Sequence, residues 1–210
     1  MKKIFTYLFF LSSLICFSQN ELLAQNYFDK GEFDKATSLF EELEKKQPNN
    51  FYFTQKLVSC YQGLKQFDKA EKLLLSKKAN SNQPTFFVEL GYNAQLQKDQ
   101  AKADSYYKKA IDIVANQPNY AYQIGQAFEQ KSLLQQAYNT YEIGQKNSSG
   151  MNFDYQMALL QGQMGNLDTM VVKLLDHAYS NMNATLNVQN QLVFFMQDDA
   201  ENVFATSLKK

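Results

Sequence analysis

The sequence predicts an all-α fold, a right-handed α-solenoid of five helix-turn-helix repeats followed by a partial sixth. Three observations carry the prediction. The box Gly31-Glu32-Phe33-Asp34-Lys35-Ala36 returns 34 residues later as Lys65-Gln66-Phe67-Asp68-Lys69-Ala70, and a fixed period of that size is the mark of stacked helix pairs. Ala103, Ala137 and Met170 continue the phase at steps of 33 or 34. No stretch alternates apolar and polar residues with period two, so no sheet is expected.

Bulky apolar residues recur around each of these positions. Leu23, Leu57, Leu90, Ile124 and Met157 stand thirteen residues before, and Phe40, Leu74, Tyr107, Tyr141 and Leu174 stand four after. Both sets read as core. A small residue between bulky ones lets two helices approach closely, and near-crystalline packing makes that slot intolerant of added volume. Each first helix adds Ala24, Val58, Gly91, Gly125 or Ala158 beside its Leu-type position, then Tyr27, Tyr61, Ala94, Phe128 or Gln161 three further on.

This pattern resembles the tetratricopeptide repeat family, whose signature is Leu-Gly-x-x-Tyr in the first helix, Ala and an aromatic in the second, and Pro at the boundary. Leu90-Gly91 and Ile124-Gly125-x-x-Phe128 match the first part; Phe33-Asp34-Lys35-Ala36 with Phe40 matches the second. The resemblance runs from about residue 20 to residue 182. It is degraded in the fifth unit, where Met170 and Gln161 replace the Ala and the aromatic, so a splayed or irregular pair is expected there.

The chain opens with Met1-Lys2-Lys3 and an uncharged run from Ile4 to Phe17, the charged and apolar regions of a secretory signal. The run is shorter than the roughly 20 residues of a spanning helix, and Cys16-Phe17-Ser18 places small residues for cleavage after Ser18 or Gln19. Leu14-Ile15 before Cys16 does not suit a lipoprotein signal. The expected organisation is therefore a signal peptide over 1–19, five repeats over 20–182, and a partial sixth repeat or the start of a further helical region over 183–210. Export predicts a periplasmic or secreted protein.

Within the repeats, helices are expected over 20–30 and 33–46, 49–63 and 67–79, 84–97 and 100–115, 118–130 and 134–147, and 151–163 and 167–182. Gln47-Pro48, Gln83-Pro84 and Gln117-Pro118 punctuate the units, because proline pushes its predecessor out of the helical region yet suits the first turn of the next helix. Gly31 and Gly165 fall where a pair must turn, a place that favours positive φ. Lys45-Lys46 and Lys77-Lys78 read as solvated helix ends complementing the helix dipole.

Composition excludes several function classes. Formal net charge is zero and every base is Lys; without guanidinium forks the chain lacks the bidentate grip on phosphate and guanine edges, so nucleic-acid binding is not expected. Once the signal is removed, Cys60 is the sole cysteine, which rules out an intrachain disulfide and reads as a small buried hydrophobe. His177 is the single histidine, at the slot that Ala110 and Gly144 fill in neighbouring units, so neither a zinc helix nor a structural zinc site can be built. Phosphate-binding glycine loops and a nucleophile elbow are absent from the sequence. Carboxylate pairs such as Glu41-Glu42 and Asp198-Asp199 are sequence neighbours that point apart on a helix. No catalytic residue, metal ligand or cofactor is predicted, and the chain reads as a non-enzyme.

What the resemblance implies is recognition in a concave groove lined by first helices. Its non-core face would carry Tyr52, Gln55, Ser59 and Gln62, then Val88, Tyr92 and Gln95, then Tyr122, Gln126 and Glu129, then Tyr155 and Leu159. The family's clamp for carboxylate tails needs several bases, and this face offers only Lys56. Tyr supplies amphipathic contact area and Gln two-way hydrogen bonding, which suits an extended peptide. The expected function is a protein-protein interaction scaffold of the cell envelope that binds a protein or peptide segment, with no nucleic acid and no membrane span after signal cleavage. The alternatives are a docking module of a longer envelope protein whose effector lies beyond residue 210, and a glycan-binding scaffold. The last stretch carries Leu192, Phe194 and Phe195, then Ala200, Val203, Phe204 and Leu208. It resembles an interior repeat without a polar cap, which predicts self-association through that end.

Overall fold

A computed structural model of the chain describes residues 19–197 apart from 80 and 82. Among the described residues all regular structure is helical. A helix over 19–29, α1, is followed by α2 (Phe33–Lys46), α3 (Phe51–Gly63), α4 (Phe67–Ala79), α5 (Thr85–Leu96), α6 (Gln100–Asn116), α7 (Ala121–Glu129), α8 (Leu134–Lys146), α9 (Asp154–Gln163), α10 (Leu167–Ser180) and α11 (Thr185–Gln197). Short 3-10 turns at Pro118–Tyr120 and Met182–Ala184 lead into α7 and α11. The fold class is that of an α-solenoid, built from consecutive helix pairs. The predicted signal segment and residues 198–210 lie outside the described residues.

The chain divides into two compact units, Met1–Ala103 and Asp104–Lys210, with the boundary inside α6. In the first, α2 packs on α3, α3 on α4 and α4 on α5; in the second, the sequence of contacts runs α7, α8, α9, α10, α11.

The period is written into the backbone. Positive φ occurs at Gly31 (71°), Lys65 (58°), Lys98 (64°), Ser132 (56°) and Gly165 (86°), the turn inside each pair. Each turn closes with two hydrogen bonds, as in Gly31 N to Phe28 O at 2.9 Å and Glu32 N to Tyr27 O at 2.9 Å; the same pair of bonds recurs at Lys65/Gln66, Lys98/Asp99, Ser132/Leu133 and Gly165/Asn166. This is the Schellman arrangement, which satisfies the last helical carbonyls and requires one left-handed residue. Two turns use glycine as expected, and three use Lys or Ser at the same slot.

The core follows the register. Ala36, Ala70, Ala103, Ala137 and Met170 are fully buried, and so are their bulky partners Phe40, Leu74, Tyr107, Tyr141 and Leu174. Gly125 shows why the small slot is small: a Cβ there would lie 2.4 Å from the Tyr141 ring. Leu57, Leu90, Ile124 and Met157 are inside, but Leu23 is 44% exposed. Among the described residues no helix precedes α1 to cover the outer side of Leu23.

The fifth pair corrects a second expectation, since it is neither splayed nor irregular. Met170 is fully buried, and its Sδ lies 2.3 Å from where a Gly162 Cβ would be. The bulk missing from the first helix at Gly162 has been exchanged for bulk in the second at Met170, a compensation that conserves volume. Lys77 departs from the solvated helix end assigned to it: only 19% exposed, its ammonium pairs with Glu44 and donates to Pro48 O at 2.7 Å.

Candidate interaction surface

The amphipathic first helices position the candidate surface, and α3 shows how. Asn50 caps it, its side chain accepting from Tyr52 N at 3.1 Å, as an N-cap Asn does when it takes a backbone donor that lacks an intrahelical partner. Phe53, Leu57, Val58 and Cys60 turn inward, which leaves Tyr52 exposed and Gln55 and Ser59 half-buried. The Tyr52 hydroxyl donates to Gln25 Oε1 at 2.7 Å, and Gln25 Nε2 donates to Asp29 at 2.5 Å. Partial burial, then the nearby Glu21 and Asp29 carboxylates, push the Tyr52 hydroxyl above its ordinary pKa. The Lys56 ammonium sits 4.1 Å from the Phe28 ring centroid and 5.5 Å from that of Tyr52, a cation held against two aromatic faces. Within the first unit these side chains form one connected surface of Tyr, Gln, Lys and acidic groups.

Gln25 had gone unassigned. Its slot, one residue after the small first-helix position, is that of Ser59, Tyr92, Gln126 and Leu159, so extending the period to α1 would have found it.

Two candidates are internal. Val88 is fully buried and Gln62 nearly so. Gln62 Nε2 donates to Asn93 Oδ1 at 3.4 Å, and Asn93 Nδ2 to Phe67 O at 3.1 Å; a buried amide needs such partners. α5 has Thr85, Phe86, Val88, Glu89, Leu90, Gly91, Asn93 and Ala94 all inside, so it is covered on nearly every side and offers Tyr92 and Gln95 only as half-buried residues.

In the second unit, Tyr122 is 49% exposed and accepts from Gln126 Nε2 at 2.7 Å. Glu129 is committed elsewhere: its carboxylate accepts from the Tyr141 hydroxyl at 2.5 Å, and burial together with that bond pushes the hydroxyl far above its usual range. Tyr155 and Leu159 are partly buried against the cluster of Ala158, Met170, Val171, Leu174 and Val188. Both contribute to packing there.

The remaining chemistry is sparse. Cys60 is buried, and burial pushes its thiol up to about 11. Among the described residues no group of three or more His, Cys, Asp or Glu could hold a metal ion, and no helix is long and apolar enough to cross a membrane.

Residues 27–83 match a family model described as Tetratricopeptide repeat. Over 98 residues the chain is 31% identical to the BBSome complex member BBS4 of Mus musculus, a stretch covering 47% of this chain and 19% of that protein. The chain thus spans under a fifth of that relative's length. Among solved structures, TTC0263, a thermophilic TPR protein of Thermus thermophilus, is 16% identical, with 92% of this chain and 100% of that one covered and a TM-score of 0.45. YrrB, a TPR protein with an unusual peptide-binding site, is 13% identical, with 80% and 88% covered and a TM-score of 0.38.

Proposed function

We propose that this chain is an exported, non-enzymatic scaffold of the cell envelope whose first helices bind an extended peptide segment. The observation that carries the reading is the repeated outward placement of Tyr and Gln beside a buried core: Tyr52, Gln55 and Ser59 on α3, Tyr92 and Gln95 on α5, and Tyr122 and Gln126 on α7. Rigid aromatic rings give contact area at low entropic cost, and amides pair with both the N–H and the C=O of a peptide. The match of residues 27–83 to the repeat family supports a protein-binding role, and the leader-like residues 1–19 support export. Replacing Tyr92 and Tyr122 together by Ala tests the surface: capture of an envelope partner is expected to fall while far-UV circular dichroism is unchanged. Undiminished capture by a folded variant refutes it.

Self-association through α11 belongs to the same proposal. α11 exposes Leu186 (66%), Val193 (45%) and Phe194 (57%) among the described residues, and an exposed apolar face favours association. Ala200, Val203, Phe204 and Leu208, also predicted to form this end, lie outside the described residues. A monomer in sedimentation velocity at high concentration refutes this part.

A further inference from the structure

The second unit contains a cleft that shares only Tyr155 with the Tyr and Gln faces above. It holds about 290 Å³ and is walled by the first turn of α9, the last turn of α10, the 3-10 turn and the first turn of α11. Its lining includes Tyr155, Gln156, His177, Asn183 and Asn187, and no Asp, Glu, Lys or Arg. The Gln156, Asn183 and Asn187 amides make no side-chain hydrogen bond among the described residues. The Tyr155 and His177 rings lie 5.7 Å apart at 44°. His177 Nδ1 is buried and has no hydrogen-bond partner among the described residues, and unmet buried polar atoms are rare enough in folded proteins to require a reason.

The equivalent slot in the first unit shows the contrast. Lys77 stands seven residues after Ala70 as His177 stands seven after Met170, and Lys77 also lines a cleft, of about 520 Å³. There the ammonium is taken by Glu44 and the Pro48 carbonyl. At His177 the polar capacity is left open.

We propose that the α9–α10–α11 cleft binds a neutral monosaccharide unit. The volume lies at the small end of ligand pockets, below roughly 300–1,000 Å³ for drug-sized molecules, so it suits a compact ring better than an extended chain. Without Asp, Glu, Lys or Arg, the lining offers no acidic side chain to pair with an amine and no Lys or Arg to pair with a carboxylate or phosphate. Each amide offers one donor and one acceptor side by side, which pairs with neighbouring hydroxyls, and the Tyr155 ring supplies an apolar face for ring C–H groups. A hydroxyl both donates and accepts, so it can satisfy His177 Nδ1 in either tautomer once the imidazole turns toward the cleft.

Nuclear magnetic resonance of the full chain with glucose, galactose and N-acetylglucosamine, each up to about 10 mM to reach millimolar affinities, tests this site without reference to the peptide surface. At least one sugar is expected to produce saturable shifts confined to the Gln156, Asn183 and Asn187 side-chain amides and the His177 ring. Glucuronate should bind no more tightly than glucose. Gln156→Ala combined with Asn187→Ala should weaken binding at least about tenfold with circular dichroism unchanged; if the pair unfolds, Asn187→Ala alone is read in the same way. No saturable shift with any of the sugars, equal binding by the folded variant, or shifts at these residues from a neutral tripeptide but not from sugars would each overturn the assignment.

Discussion

Gly125→Ala measures how closely α7 and α8 approach. The new methyl carbon would sit 2.4 Å from Tyr141 Cε1 and Cζ and 2.9 Å from its hydroxyl oxygen. The ring is fully buried and its hydroxyl is bonded to Glu129, so it cannot swing aside cheaply. Three effects compete. Ala is the better helix former by about 1 kcal/mol, which favours the variant. Overpacking a close-packed core costs about 1–3 kcal/mol, and a displaced ring forfeits a hydrogen bond to a charged group worth about 1.5–3 kcal/mol. The net is a destabilisation of about 1.5–5 kcal/mol, which at about 2–4 °C per kcal/mol for a chain of this size lowers Tm by roughly 3–20 °C. Thermal and urea unfolding followed by circular dichroism gives the number. Gly125→Ala in a Tyr141→Leu background, where the ring is gone, should recover most of the loss. An unchanged or raised midpoint in the single variant would mean that helix propensity wins and the two helices are further apart than described.

Ala70→Leu should overpack the second pair and cost about 1–3 kcal/mol, read as a lower denaturation midpoint; an unchanged midpoint counts against the register. Lys98→Gly and Ser132→Gly should each stabilise by up to about 1 kcal/mol, because both residues sit in the left-handed region that glycine enters freely, whereas Gly165→Ala should destabilise by a similar amount. The Cys60 thiol, at about 11 instead of 9.0, keeps its proton in the folded chain where the unfolded chain has lost it. Stability should therefore fall as pH rises from about 9 to about 11, since the folded state binds more protons across that window. Iodoacetamide labelling should be slow until denaturant is added.

Much of the architecture was legible because it depends on spacing alone. The slot of Ala36, Ala70, Ala103 and Ala137 could be read from its period, and the slot of Gly31 and Gly165 from the need for a left-handed residue. The same turn at Lys65, Lys98 and Ser132 could not be read from residue type, because nothing in those side chains advertises positive φ; only the period marks them. The candidate surface was less legible. Helical periodicity identifies the side of a first helix that faces its own pair, so Tyr52 and Tyr122 were placed outward and are exposed. It does not say what covers the other side, which is why Val88 and Gln62 were assigned to a surface and are buried.

By itself the sequence determined the repeat length, the register of small and bulky residues and the turn positions, since each is a matter of residue type at a stated interval. Tertiary structure decided whatever depends on neighbours brought together in space. It left Leu23 exposed with no described helix before it, matched Met170 to the room at Gly162, paired a partly buried Lys77 with Glu44, and gathered beside His177 three amides with no side-chain hydrogen bond among the described residues. Burial and pairing depend on the surroundings of a side chain, and in a repeat stack those surroundings come from helices some thirty residues away, whose bulk no local pattern encodes.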